Sequence, residues 1–447
     1  MKIKDIKNKK SIWILWFGRE GKSTLKFLQK IWCKNITILD KNKIEDFNWN
    51  TKKITWENYL DNLKDFDLII KTPWISLYNE KILKHKEKII DQTQIFFENY
   101  SWKVIWVTAT KGKSTIVTLA YNILKRAWHK TKLVWNIWKP VLDEIDIEKD
   151  NYDYIVYELS SYMLEGFKPK LHIAILWNIY PDHLDWHINY KNYKKAKLNI
   201  IKQSETKLVN IDLKKESISD KEISKTENQE KKPRNISDVQ FFWTSWKYSY
   251  KSWEFFIENN KVFDNKKILL KWDHNMINIC SILWFCDILW IKREVLENEL
   301  RTFKWLKHRI ENIWIYNWIT FIDDAISTTP ESTIEAIKTF WEKIWTIFLW
   351  WTDRWYKFNN LIEQLKKYSI KNIVLFPESW EKIWELLDNS FNKINTKSMK
   401  EAINFALKEC KKDEICLLSC ASPSYSLWKN FEEKWDEFKK EIKKHTK

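Results

Sequence analysis

The chain has 447 residues, long enough for roughly three domains, and it contains no apolar run of about 18 residues that would cross a membrane. Six scattered cysteines form no Cys-x-x-Cys pair, which argues against a disulfide framework or a thiolate metal site and for a reduced, cytoplasmic protein. The formal charge of +17 comes from lysines spread along the chain without a nucleic-acid motif, so it reads as solvated faces rather than a polyanion footprint.

Met1 to Lys10 is basic, but Arg19, Glu20 and Lys22 interrupt the apolar stretch that follows, so a signal peptide is not expected. Ser11–Phe17 reads as a strand, Lys22–Ile31 as a helix, and Asn35–Leu39 and Asp67–Lys71 as further strands. This alternation predicts a parallel, Rossmann-like sheet. A second α/β unit starts near Trp102, with a strand at Lys103–Thr108, a helix to Arg126, and strands at Tyr154–Glu158 and Ile173–Asn178. The polar stretch Leu213–Asp238 reads as a surface insertion. Tyr248–Tyr250 and Phe255–Ile257 suggest a hairpin, and Asn275–Trp290 a helix. A third α/β sheet begins near Phe303, with strands at Thr320–Asp324, Thr346–Leu349, Asn372–Phe376 and Glu414–Ser419. The expected domains are 1–100, 101–302 and 303–447.

Four glycines stand against 31 tryptophans. A chain of this length ordinarily carries roughly 30 glycines. Most of the tryptophans therefore read as codons that the source cell translates as glycine, as a UGA codon read with the wrong table would produce. The loop Trp16-Phe17-Gly18-Arg19-Glu20-Gly21 then becomes Gly-x-Gly-x-x-Gly between strand and helix. In that setting backbone N–H groups approach a diphosphate at the helix N-terminus.

The strongest motif is Thr110-Lys111-Gly112-Lys113-Ser114-Thr115, after a strand and before a helix. Backbone N–H groups there hold phosphates, Lys113 supplies a point charge, and the Ser114 hydroxyl reaches Mg²⁺. The spacing is not that of the common P-loop, whose first glycine would fall at Val107.

Val107 to Thr115 resembles the phosphate loop of the Mur ligase family. Glu158-Leu159-Ser160-Ser161-Tyr162-Met163-Leu164-Glu165 is similar to that family's second signature, and Asn178-Ile179-Tyr180-Pro181-Asp182-His183-Leu184-Asp185 to its third. Lys194-Lys195-Ala196-Lys197, Trp272 to Asn278 and Trp305 to Glu311 follow in order, and Asn430 to Phe438 resembles the signature of the glutamate-adding branch. Trp74, Trp135, Trp138, Trp272, Trp305, Trp351 and Trp435 stand where the family has glycine, and Trp106 falls where it favours glycine; Trp186 is a candidate for a genuine tryptophan.

The resemblance implies three linked α/β domains, ATP and Mg²⁺ as cofactors, and addition of glutamate to UDP-N-acetylmuramoyl-L-alanine through an acyl phosphate. It implies no nucleic-acid partner and a monomer. Lys113, Glu158, His183 and Lys197 are the implied catalytic residues. Ser114, Glu158, His183 and a carbamylated Lys197 are the implied metal-side set. Thr110 to Thr115 with Asn275, Asn278, Arg309 and Asp324 would contact ATP, and Gly18, Gly21, Thr72 and Asn136 the UDP-linked precursor. In the glutamate pocket the family pattern Asp-Ser-Lys-Ala-Thr is replaced by Asp324-Ala325-Ile326-Ser327-Thr328. Isoleucine cannot pair with a carboxylate, which leaves Thr328 and Ser424, with Arg354 or Lys357, to meet the amino acid. The stretch Ile326 to Pro330 resembles a divergent branch that uses L-glutamate, so both enantiomers stay open. Ala109 replaces a family glycine. The alternative is a ligase that adds glutamate to folate; the β-α-β unit before Trp102 argues against it. A polyanion-binding protein with a nucleotide switch is a further alternative.

Overall fold

The computed structural model describes the chain apart from residues 45–50, 56–58, 62, 101–102, 136–138, 148, 168–169, 203, 211–212, 214–238, 243–247, 252–253, 258–259, 265–267, 269–272, 304–309, 328, 341–342, 351–357, 378–379, 423–426, 429–430 and 446–447. Most of the predicted insertion at Leu213–Asp238 thus lies outside the described residues. The chain forms two compact units, 1–303 and 304–447.

The first unit opens with a short helix, Ile3–Lys7, and a five-stranded parallel sheet: β1 (Ile12–Leu15), β2 (Ile36–Asp40), β3 (Lys52–Thr55), β4 (Leu68–Lys71) and β5 (Ile89–Asp91). Their order is β3-β2-β1-β4-β5. Strands β1 and β4 are short runs rich in Ile and Leu and buried on both faces, as parallel strands covered by helices require. The helix after β1 spans Arg19–Lys30, starting earlier than the sequence pattern predicts because Gly18 is its N-cap.

A six-stranded sheet follows in the same unit: β6 (Lys103–Thr108), β7 (Thr131–Val134), β8 (Tyr154–Glu158), β9 (Leu171–Leu176), β10 (Ser204–Asn210) and β11 (Val239–Phe242), in the order β11-β10-β9-β6-β8-β7. Strand β6 is central, and its neighbours β8 and β9 pair with it in parallel on opposite sides. The chain therefore reverses direction around β6, which opens a crevice at the carboxyl ends of these three strands. The predicted hairpin is present as Tyr248–Lys251 and Glu254–Ile257, extended by a third antiparallel strand at Asn260–Asp264.

The second unit is a six-stranded sheet whose first strand, Glu311–Tyr316, runs antiparallel to Ile319–Asp324; the other pairings are parallel. The three main sheets with flanking helices match the α/β class expected from the alternating pattern.

Three helices end alike. After Arg19–Lys30, Lys113–Arg126 and Asp273–Ile288, residues Trp32, Trp128 and Trp290 adopt φ of +62°, +66° and +56°. Paired backbone bonds close each end: Trp32 to Gln29 with Cys33 to Leu28, Trp128 to Lys125 with His129 to Leu124, and Trp290 to Asp287 with Ile291 to Cys286. This is the Schellman motif, whose left-handed position is the usual place of glycine. Here it carries indoles that are 86%, 95% and 92% exposed. The helix predicted to reach Trp290 accordingly stops at Ile288. Trp16 and Trp318 are also left-handed, at φ +75° and +65°.

Candidate active site

The phosphate loop leaves β6 at Thr108 and enters the helix Lys113–Arg126 at Gly112. Gly112 has φ +86°, and a Cβ there would lie 2.8 Å from Asn278 Oδ1, so both conformation and space demand glycine. Asn178, just past β9, fixes the loop: its Oδ1 accepts from the backbone N–H groups of Thr110 and Lys111, at 2.9 Å each, and its Nδ2 donates to Lys111 O. Thr110 Oγ1 lies 2.8 Å from Tyr193 OH and accepts from the Tyr180 backbone N–H. The Lys113 ammonium folds back to donate to the carbonyls of Ala109 and Thr110.

Ser114 lies in the first turn of the helix and Glu158 ends β8. The Ser114 hydroxyl donates to Glu158 Oε2 at 2.9 Å, and both residues are buried. Lys197, on the helix Tyr190–Lys202, is 2% exposed and donates to Ala109 O and Thr108 Oγ1. Burial, reinforced by Lys113 and Lys111, holds its amine well below the usual lysine range, although Asp182 and Glu158 oppose the shift. Tyr193, one turn earlier on this helix, faces the same loop. Its role was missed from sequence, although the i, i+4 spacing to Lys197 places the two on one face.

His183 has φ +53° and caps the short helix Leu184–His187. Its Nδ1 lies 2.7 Å from Tyr162 OH, and its backbone N–H donates to Asp182 Oδ1. Burial opposes ionisation of Asp182, but His183, Lys111 and Lys113 together hold the carboxyl below its ordinary value. His187 is fully buried against Ser161 Oγ, and desolvation lowers its pKa to about 3, so it is a neutral packing histidine. Among the described residues no three His, Cys, Asp or Glu side chains form a metal cage. The Ser114 and Glu158 oxygens suit a hard cation that completes its shell with water and nucleotide oxygens.

Asn275 and Asn278, on the helix Asp273–Ile288, are buried beside the loop, and Asn278 Oδ1 has no hydrogen-bond partner among the described residues. Thr115 is half-buried on the first turn after the loop. The structure thus gathers Thr110 to Thr115, Glu158, Lys197 and Asn278 around one strand end.

The first sheet has its own crevice, because β1 lies between β2 and β4. Gly18 and Gly21 follow β1, and a Cβ on Gly21 would collide with the Trp16 carbonyl. Asp40, ending β2, accepts from the Phe17 backbone N–H. Thr72 follows β4, and its buried Oγ1 has no partner among the described residues.

In the second unit Asp324 ends its strand and accepts from Ser419 Oγ at 2.7 Å. Arg309, Asn136, Thr328, Ser424, Arg354 and Lys357 lie outside the described residues.

Residues 107–283 match the family model described as the Mur ligase middle domain. A protein of Buchnera aphidicola named UDP-N-acetylmuramoylalanine--D-glutamate ligase is 32% identical to this chain, covering 96% of it and 97% of the relative. A protein of the same name from Clostridioides difficile is 29% identical over 98% of this chain and 99% of its own. Among solved structures, MurF ligase from Thermotoga maritima in complex with ADP superposes with a TM-score of 0.58 at 15% identity, covering 99% of this chain and 97% of the other, a likeness of fold. With its phosphate loop, signature order and full-length relatives in agreement, the chain belongs to the Mur ligase family.

Proposed function

We propose that the protein uses ATP to join glutamate to UDP-N-acetylmuramoyl-L-alanine in peptidoglycan synthesis, in the cytoplasm. The observation that carries the reading is the convergence of Gly112, Lys113, Ser114, Glu158 and Lys197 at the end of β6 in a chain whose full-length relatives bear that ligase name. The lobes are 1–100 for the precursor, 101–302 for ATP and 303–447 for glutamate.

Transfer of the γ-phosphoryl group to the precursor carboxylate gives an acyl phosphate, and the glutamate amine then displaces phosphate to form the amide. All partners before the amine are anionic, so the site must gather positive charge. Lys113 turns from the loop carbonyls to the phosphates. Ser114 and Glu158, with His183, would hold Mg²⁺, which neutralises charge on the phosphate oxygens. Lys197 is buried, and its amine is held towards the neutral form that reacts with CO₂; the resulting carbamate would supply the anion that orients the metal side. Asn275, Asn278, Arg309 and Asp324 serve ATP; Gly18, Gly21, Thr72 and Asn136 serve the precursor; Thr328 and Ser424 serve glutamate.

The same proposal includes glycine at most tryptophan positions. Support comes from the three helix ends described above and from the core. Trp13 and Phe66 ring centroids lie 2.8 Å apart, closer than two rings can pack. Among the described residues the indole N–H groups of Trp13, Trp106 and Trp350 are buried without a partner, a cost that a native core avoids. Those of Trp186 and Trp428 are paired.

The test is phosphate release by protein decoded with glycine, supplied with ATP, Mg²⁺, the UDP-linked precursor and each glutamate enantiomer. Release that requires both precursor and glutamate supports the reading. Turnover with folate but not with the precursor would favour the alternative ligase.

A further inference from the structure

The segment that follows β4, residues 72–78, meets the region of the second sheet at a side chain that the mechanism does not use. Trp186 is 9% exposed, in the helix Leu184–His187. Its indole Nε1 donates to the Trp74 carbonyl at 2.9 Å, and its own carbonyl accepts from Ser76 Oγ at 3.0 Å. The bond to Trp74 is to backbone, so it survives glycine at that position. On its other side the indole packs 4.9 Å from the Tyr162 ring, whose hydroxyl lies 2.7 Å from His183 Nδ1. Two neighbouring contacts brace the same junction: Tyr78 OH donates to Glu165 at 3.1 Å, and the buried Lys71 ammonium lies 5.9 Å from the Trp186 ring centroid. Segment 71–78 is therefore fastened at Glu165, the last residue of the second signature, and at Trp186, just after the third.

We infer that Trp186 is a positioning residue, which fixes the turn Thr72–Trp74 relative to His183. On the functional reading above, on which this rests, that turn holds the UDP-linked precursor and His183 lies on the metal side. The indole would then set how far the precursor's carboxylate lies from the phosphate loop. A rigid bridge serves this purpose because misplacing a reacting group by an ångström costs large factors in rate.

The test is Trp186→Phe in the full chain, which keeps a ring against Tyr162 but removes the N–H. Loss of one hydrogen bond predicts a fall of about three- to tenfold in kcat/KM for UDP-N-acetylmuramoyl-L-alanine. The KM for ATP should stay at its wild-type value. Tyr78→Phe should move the same parameter in the same direction by less. Unchanged kcat/KM, or a loss matched by an equal loss of ATP affinity, overturns the inference. Hydrogen exchange at residues 72–79 reads the bridge without turnover. Faster exchange in Trp186→Phe supports it, and unchanged exchange overturns it even where the substrate assignment itself has failed. A native peptide carrying glycine at 186 overturns it as well.

Discussion

The Ser114 hydroxyl and the Glu158 carboxylate meet at 2.9 Å, joining the first turn of the phosphate-loop helix to the end of the neighbouring strand β8. Both residues are buried, so the pair presents a preset oxygen cluster beside Lys113. Ser114→Ala removes one oxygen and leaves a buried carboxylate oxygen unpaired. Turnover should fall by at least about tenfold, the cost of one charge-assisted hydrogen bond, with a matching rise in the Mg²⁺ concentration for half-maximal rate. A Mg²⁺ titration of both proteins checks this, and coincident curves would remove Ser114 from the metal side.

Lys197 is the second residue whose burial has a chemical consequence. Lys197→Ala should abolish most turnover and regain part of it with added short carboxylates such as acetate, which replace the proposed carbamate. Initial rates with and without the carboxylate measure the effect. Unchanged turnover in the alanine variant would remove the role.

Glycine at the left-handed tryptophans can be read directly by mass. Each Trp-to-Gly replacement makes the native protein lighter than the 54.9 kDa that the tryptophan-rich sequence gives. Peptides from the source cell should carry glycine at 32, 128 and 290, and tryptophan at 186. An intact mass equal to that of the printed sequence would contradict the assignment.

Glu20 sits in the first turn of the helix Arg19–Lys30, and burial, with the nearby Asp91 charge, pushes its carboxyl up to about 8 despite Lys71. Its folded pKa is thus above its unfolded value of roughly 4.3. Below that value both states carry the proton and Glu20 has no effect on the balance. As pH rises towards 8 the unfolded chain binds fewer protons than the folded one, and stability falls. Glu20→Gln should therefore be more stable than wild type at pH 8, by up to about 5 kcal/mol, and equal to it near pH 4. Urea melts at the two pH values decide it; a variant that is no more stable at pH 8 contradicts the burial argument.

Much of this was legible in sequence because the chemistry is local. Gly112 to Thr115 lie between a strand and a helix, and Glu158 ends a five-residue apolar strand, so pattern alone placed them at strand ends. Tyr193 and Asn178 were harder to read. Each acts through a contact some 70 or 80 residues away in the chain, with Thr110, that only the sheet order creates. Edge strands such as Lys52–Thr55 and Thr131–Val134 also escaped, since half-exposed lysines and threonines blur the apolar run that marks a strand. The helix ends at Trp32, Trp128 and Trp290 were obscured for another reason: the residue that normally signals a stop is written as an indole.

The central claim is that the loop at Gly112 brings a phosphoryl group to a carboxylate. The most direct measurement uses UDP-N-acetylmuramoyl-L-alanine labelled with ¹⁸O in its carboxylate, with ATP, Mg²⁺ and glutamate. An acyl phosphate requires one labelled oxygen to leave with the phosphate, so the account predicts ¹⁸O in the released inorganic phosphate. Amide product formed with unlabelled phosphate would contradict it.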